Sequence, residues 1–290
     1  MINFTDNEKQ WIKLLHKLKK DEKYNDRELE IIFGASKFSN DSITQPMFIN
    51  ILKYMKNISS IKGSEWSLDN YNTTLDITFH RSNDINRNTQ FPLRITIKGK
   101  DNISQYCRTN DLESIINNKD VVDIMYKEVS RIQKGDIDIE KEENQIFKDS
   151  KNLTLEVENY GIKFTLKDEL ILGFGNIFNS SIPELAEKSN KEYKEFIRSD
   201  YKNLFKTFRL KNRYSFISTS NVRLDLTVVQ SSFGQTNNRN YTVSVPVKEF
   251  YSSKLLESEK KYEVELELFL NPNKIPEILE AKNIIESKIE

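Results

Sequence analysis

The chain has 290 residues, and its 44 Lys and Arg balance 44 Asp and Glu, so its formal charge is zero with the histidines neutral. That balance excludes a protein that coats nucleic acid or an anionic membrane through bulk charge. A single Cys with two His excludes an internal disulfide and a Cys/His zinc cluster.

No apolar stretch approaches the roughly 18 residues of a membrane-spanning helix. The opening MINFTDNEKQ has neither a basic n-region nor an apolar core, so the expectation is a soluble protein of a reducing compartment without a secretory signal. Only 8 Gly are present and neither GxGxxG nor GxxxxGK[ST] occurs, which argues against folds built on glycine-rich phosphate loops. The 17 Phe and 12 Tyr supply an adequate core despite a hydrophobic fraction of 37%.

In chain order, Asn7–Lys20 places Trp11, Ile12, Leu14, Leu15 and Leu18 at helical spacing and predicts a helix. A short strand over Arg27–Phe33 follows and ends at Gly34. Met47, Phe48, Ile51, Leu52 and Met55 predict an amphipathic helix over Gln45–Lys56, with Thr44 as N-cap and Pro46 in its first turn. From about residue 64 the period changes to two. Leu75, Ile77 and Phe79 alternate with Asp76, Thr78 and His80, and Leu93, Ile95 and Ile97 with Arg94, Thr96 and Lys98. The same alternation runs through Ile162–Lys167, Val222–Thr227 and Tyr262–Leu268. Tyr241–Val247 is a further expected strand, stopped near Pro246. Helical or loop insertions are expected at 109–132 and 182–206, and the Glu-rich stretch 137–145 reads as a solvated loop or hairpin arm. A helix from Ile275 to Glu290 is expected to close the chain. The fold class implied is α+β: an antiparallel barrel or sandwich with helices packed outside.

The polar faces of these strands differ in sign. Two are acidic, with Glu28 and Glu30 in RELEIIF and Glu263, Glu265 and Glu267 in KYEVELELFL. Three are basic, with Arg94 and Lys98, Lys163 and Lys167, and Lys211 and Arg213; one is mixed, with Arg223 and Asp225. Residues at i and i+2 of a strand share a face, about 6.6–6.8 Å apart. Three Glu in such a row repel one another unless a cation or opposing bases neutralise them. Two acidic strands brought together would form a hard, all-oxygen site suited to Mg²⁺ or Mn²⁺, and the basic strands would clamp phosphates. Taken singly each element has a plainer reading. An isolated ExExE strand is ordinarily a solvated sheet face, Arg223 and Asp225 can form a simple ion pair, and Glu28 and Glu30 could sit on a helix. His80 reads as a polar-face residue, His16 as a surface residue of a helix, and Cys107 as a packed small hydrophobe. The conjunction of paired acidic and basic strands at one period carries the functional reading.

These segments resemble a known family. RELEIIFG, followed after a short insertion by PMFINILKYM, resembles the first motif of the triphosphate tunnel metalloenzymes, and more closely that of the RNA 5′-triphosphatase domain of mRNA capping enzymes from large DNA viruses. LRITIKGKDNISQYCRTNDL resembles the strand and loop that follow in those viral proteins, KNRYSF and NVRLDLTVVQSS resemble their late strands, and KYEVELEL their last metal-binding strand. The matched blocks run from about 27 to 270. The resemblance implies an antiparallel eight-stranded β-barrel, the triphosphate tunnel, with helices outside. It also implies hydrolysis of the γ-phosphate from the 5′-triphosphate end of nascent RNA with Mg²⁺ or Mn²⁺. By motif position Glu28, Glu30, Glu265 and Glu267 would be metal ligands. Glu263 and Glu265 would act on the attacking water, with Glu263 alternatively holding a basic neighbour. Lys211, Arg213 and Arg223 would contact phosphates, with Asp225 orienting Arg223 or a neighbouring base. Arg94, Lys163, Lys98 and Lys167 would be further substrate contacts.

The whole chain is expected to be one tunnel domain: an N-terminal helix over 1–24, strands with helical insertions over 25–270, and a helix over 271–290 leading towards covalently linked guanylyltransferase and methyltransferase domains. No KxDG nucleophile motif of a guanylyltransferase occurs in these residues. The resemblance implies a cytoplasmic location in the host cell, viral factory or virion, and no membrane partner. Two other readings share the features. A tunnel-type phosphohydrolase could act on tripolyphosphate, thiamine triphosphate or nucleoside triphosphates, and a non-catalytic module could bind RNA ends. Cys107 lies in no Cys-loop-Arg signature, which argues against a covalent route, and no aromatic RNA motif of the RNP type is present.

Overall fold

A computed structural model describes residues 28–34, 42–86, 90–116, 118, 120–128, 154–157, 162–172, 177, 183–238, 242–269 and 274–289; the side chains at 28, 29, 127, 128, 154–157, 162–171, 185, 269 and 275 lie outside that description. The expected helix Asn7–Lys20 with His16, and the Glu-rich stretch 137–145, lie outside the described residues.

The period-two segments become long antiparallel strands. They are β1 (Glu28–Phe33), β2 (Trp66–His80), β3 (Gln90–Lys98), β4 (Val122–Glu128), β5 (Thr154–Val157), β6 (Ile162–Ile171), β7 (Phe205–Ser218), β8 (Arg223–Ser231) and β11 (Lys261–Phe269). They form one sheet in the order β1-β11-β8-β7-β2-β3-β4-β6-β5, and β1 pairs in addition with β6. The register sets Glu30 opposite Glu267 and Glu265 opposite Asp225, while Arg213 faces Thr227 on β8. On β2, Asp76 lies between Thr96 of β3 and Arg209 of β7.

Among the described residues, four α-helices accompany the sheet: α1 (Gln45–Ser59), α2 (Lys100–Thr109), α3 (Pro183–Arg198) and α4 (Ile275–Ile289). Thr44 is the N-cap of α1, its Oγ1 accepting from the Met47 amide at 3.5 Å, with Pro46 in the first turn. At Gly99 the chain leaves β3 and enters α2 with φ 84°, a left-handed conformation that favours glycine.

Alternation gives the sheet one apolar face, and the helices cover it. Phe48, Ile51 and Met55 of α1 and Ile278, Leu279 and Ile285 of α4 pack with Ile31, Leu224, Leu226, Val264 and Leu266 in one cluster. Leu75, Ile77, Phe79, Leu93, Ile95 and Ile97 pack with Ile103 and Tyr106 of α2 and Phe196 of α3 in a second. Phe196 meets Phe79 edge-on, with ring centroids 4.9 Å apart. Lys206 is the exception on this face: it is 1% exposed, and its ammonium donates to the carbonyls of Lys202, Leu204 and Lys248 at 2.8–3.2 Å. Three acceptors satisfy its three N–H groups, which makes its burial tolerable.

Three expectations are corrected. The segment 109–132 is not only an insertion, because Val122–Glu128 is a central strand between β3 and β6. The helix Lys100–Thr109 is added. The expected strand Tyr241–Val247 is reduced to β10 (Thr242–Ser244), which pairs only with β9 (Gly234–Thr236) in a separate hairpin; Val247 makes an isolated bridge to Lys206. Pro246 has no amide hydrogen to continue the ladder.

Candidate active site

The covering helices leave the sheet's other face to polar side chains, and these are buried too. Glu30, Asp76, Thr96, Lys211, Asp225 and Thr227 are each less than 9% exposed. A buried charge is tolerated only when paired and hydrogen-bonded, so the pairing scheme of this face is informative.

At one part of the face β1 and β11 bring three carboxylates together. Glu30, Glu265 and Glu267 each offer an oxygen, and the three oxygens lie within 4.8 Å of one another. The antiparallel register causes this, since Glu30 is directly opposite Glu267 and Glu265 is two residues back on the same strand. Like charges so placed cost free energy without a neutralising cation. Oxygens at octahedral positions around a Mg²⁺-sized ion, about 2.1 Å from it, are roughly 3–4 Å apart. A side-chain adjustment of under an ångström therefore converts this trio into ligands, and an all-carboxylate set selects a hard divalent cation.

Next to the trio lies a lattice of arginines held by one buried aspartate. Asp225 is completely buried and accepts from Arg213 Nη1 at 2.6 Å and from Arg223 Nη2 at 2.9 Å. Arg213 also donates to Thr227 Oγ1 at 3.0 Å and reaches Glu265 at 3.4 Å, while Arg223 Nε is 3.6 Å from Glu267. Burial opposes the charge on Arg213, but Asp225, Glu265 and Glu267 outweigh it, and its pKa is raised further above the ordinary value. Both guanidiniums are thus fixed beside the carboxylate trio.

A second buried aspartate organises the far side. Asp76 accepts from Thr96 Oγ1 at 2.9 Å, pairs with Lys211 Nζ at 2.7 Å, and lies 3.7 Å from Arg94 Nη1. Burial alone would raise its carboxyl, yet the charges of Lys211 and Arg94 and the hydrogen bonds from Lys211 and Thr96 hold it below the ordinary 3.8. Lys211 is pushed the other way by burial, with Asp76 resisting. A carboxyl with a depressed folded-state pKa stabilises the fold above its ordinary value, and that contribution is lost as pH falls through the depressed one. Asp76→Asn is expected to flatten the acid limb of stability below about pH 4, read as the change in melting temperature between pH 5 and pH 2. At neutral pH it is expected to cost about 3–5 kcal/mol, because the buried Lys211 ammonium loses its counter-ion.

The other expected site residues are placed as follows. Glu263 forms a short ion pair with Arg209, the alternative role foreseen for it. Lys98 closes on Asp123 at 2.7 Å. Glu28 lies on β1 opposite Lys167, and Lys163 faces Ile32, all in backbone register. Roles for the side chains of Glu28, Lys163 and Lys167 fall outside the described residues. Sequence reasoning put Asp76, Thr96 and Thr227 on polar strand faces without giving them a part in the site, and it missed Arg209. Arg209 continues the same-face row of Lys211 and Arg213 in RLKNR, a signal that was available. Cys107 is half-buried, and burial pushes its thiol up to about 11. It is therefore protonated at neutral pH, which suits a packing role and not a nucleophile.

No protein-family model and no curated protein matches the sequence. Among solved structures, the fold is similar to that of the RNA triphosphatase domain of a trifunctional mimivirus mRNA capping enzyme. The TM-score is 0.59 at 19% identity, covering 100% of this chain and 99% of that one. A second structure of the mimivirus capping enzyme triphosphatase gives 0.55 at 20% identity, covering 98% and 99%. No helix among the described residues is long and apolar enough to cross a membrane.

Proposed function

We propose that this chain, sharing the fold of the mimivirus RNA triphosphatase domain, is a metal-dependent RNA 5′-triphosphatase that removes the γ-phosphate as the first step of mRNA capping. The observation that carries the reading is the carboxylate trio of Glu30, Glu265 and Glu267 set beside arginines locked by a buried aspartate. In the same reading the β1–β6 pairing closes eight of the nine strands into a ring, with β5 outside it, a tunnel whose lining is the polar face. We take the substrate to be the 5′-triphosphate end of RNA, with nucleoside triphosphates as possible smaller substrates. We also place the chain beside linked guanylyltransferase and methyltransferase domains in the cytoplasm.

Glu30, Glu265 and Glu267, joined by Glu28, would hold Mg²⁺ or Mn²⁺. Such an ion would supply charge neutralisation that lowers the cost of charge growth in the transition state. The protein's own groups do the rest by positioning and electrostatics, as phosphoryl transfer requires. Arg213 and Arg223 hold γ-phosphate oxygens through the N–H groups that Asp225 leaves over. Lys211 and Arg94 stabilise the charge left on the β-phosphate when its bridging bond to the γ-phosphorus breaks. Lys163, Lys167 and Lys98 add positive charge along the substrate's path. A β11 carboxylate, Glu265 with Glu263 behind it, aligns a water in line with that bond and takes its proton. The products are inorganic phosphate and a diphosphate RNA end. Asp225 and Asp76 are positioning residues, fixing Arg213 and Arg223 in one case and Lys211 and Arg94 in the other.

Phosphate release from triphosphate-ended RNA, ATP and tripolyphosphate, each with Mg²⁺, Mn²⁺ or chelator, tests this. Turnover of RNA that chelator abolishes and either ion restores is expected. Binding without turnover, insensitive to chelator, would instead mark a non-catalytic module.

A further inference from the structure

The phosphate-binding face does not end at its last charge. On β7, Thr207, Arg209, Lys211 and Arg213 occupy successive same-face positions, spanning about 20 Å at strand rise. Beyond Arg209 the cations stop. Thr207 faces Thr78 of β2, and its Oγ1 lies 3.1 Å from Nε2 of His80, the next same-face residue of that strand. His80 in turn faces Gln90 of β3.

His80, Gln90 and Thr207 line a half-open cavity of about 470 Å³, together with Asp84, Asn86, Asn237 and Ser244 and the apolar Val243 and Pro246. The wall is built and not incidental: Asn86 Oδ1 accepts from the Asn238 amide at 2.9 Å, and Asp84 Oδ1 from the Asn86 amide at 2.9 Å, tying the β9–β10 region to the loop after β2. Among the described residues, no Lys or Arg lines it. Burial pushes the His80 imidazole down to about 4, so it is neutral at physiological pH, and among the described lining residues the one charged side chain is that of Asp84. Those described residues offer a phosphate no counter-charge. A nucleoside does find partners: neutral donors and acceptors for base edges, a carboxylate for ribose hydroxyls, and apolar side chains for a ring face.

We infer that this cavity is the nucleoside subsite of the enzyme, holding the ribose and base of the 5′-terminal nucleotide while the triphosphate lies along the Arg209–Lys211–Arg213 row towards the carboxylate trio. The inference rests on the phosphohydrolase reading above and adds its direction: the reacting γ-phosphate points away from the β9–β10 hairpin. Substrates with a nucleoside would gain affinity from the cavity, and tripolyphosphate would not.

The test compares three substrates in two variants. His80→Ala removes a lining hydrogen-bond partner, and Asn237→Trp, in the loop between β9 and β10, fills the cavity without touching the sheet. Each is expected to raise KM for triphosphate-ended RNA about tenfold or more while kcat/KM on tripolyphosphate stays within about twofold. ATP should follow RNA if the nucleoside itself is read. If ATP behaves like tripolyphosphate while RNA suffers, the cavity holds RNA beyond its first nucleoside and the subsite as stated fails. Equal effects on all three substrates in both variants, or none on any, also overturn it. Absence of hydrolysis of every substrate by the unaltered protein overturns the phosphohydrolase reading itself, and the subsite with it.

Discussion

Replacing Glu267 or Glu30 by Gln is expected to cut phosphate release from triphosphate-ended RNA by about two to three orders of magnitude, the scale of losing one preorganised electrostatic group. The fold should not suffer. Glu30 and Glu267 face each other across β1 and β11, and their oxygens lie within 4.8 Å of each other and of Glu265. Neutralising one member relieves repulsion within the trio while weakening its pairing with the neighbouring arginines, Arg223 being 3.6 Å from Glu267, so the melting temperature without added metal should change by only a few degrees. Adding Mn²⁺ should stabilise the unaltered protein by about 2.7 kcal/mol at a hundredfold excess over Kd and the variants by far less. Near-normal activity in both variants, or an undiminished thermal response to the metal, would remove the trio from the site. Activity and thermal response are separate readouts, so a substitution that merely damages folding cannot mimic the expected pattern.

The second large effect is expected at Asp225. This carboxylate is fully buried and accepts from both Arg213 and Arg223. Asp225→Ala leaves the Arg213 guanidinium, itself 19% exposed, without its closest counter-ion. A loss of about 3–5 kcal/mol in urea denaturation is expected, because removing one partner of a buried pair strands the other. Activity should fall as well, since the arginines that would hold the γ-phosphate lose their orientation. A double replacement separates the two effects. Arg213→Met with Asp225→Leu removes the pair together and should recover part of the stability, as isosteric apolar replacements of buried ion pairs do, while leaving turnover abolished. Recovery of turnover in the double variant would show that neither residue serves the reaction.

The two Glu strands, the basic strands and the N-cap of α1 were legible because each is written in local sequence. A period of two places Glu263, Glu265 and Glu267 on one face wherever β11 ends up. Register between strands is not written locally. Glu30 meets Glu267 across 237 positions of chain, and only the assembled sheet shows that the acidic rows face each other. Asp76 was visible only as one polar residue among alternating ones. Its importance comes from being flanked in space by Lys211 and Arg94, which lie on two different neighbouring strands. β4 escaped because VDIMYKE is short and apolar on both phases at its centre. Its place in the middle of the strand order comes from its pairing with β3 and β6.

The strand β1 has hydrogen-bonded neighbours on both edges, β11 and β6. In the proposed ring such a strand leaves no open edge through which a polymer could slip sideways. A substrate would then have to be threaded lengthwise, and only a free terminus can be threaded. Discrimination between the tip of a transcript and the many phosphates along its length would then need no recognition of sequence. It would follow from topology, as a keyhole accepts the end of a rod and never its middle.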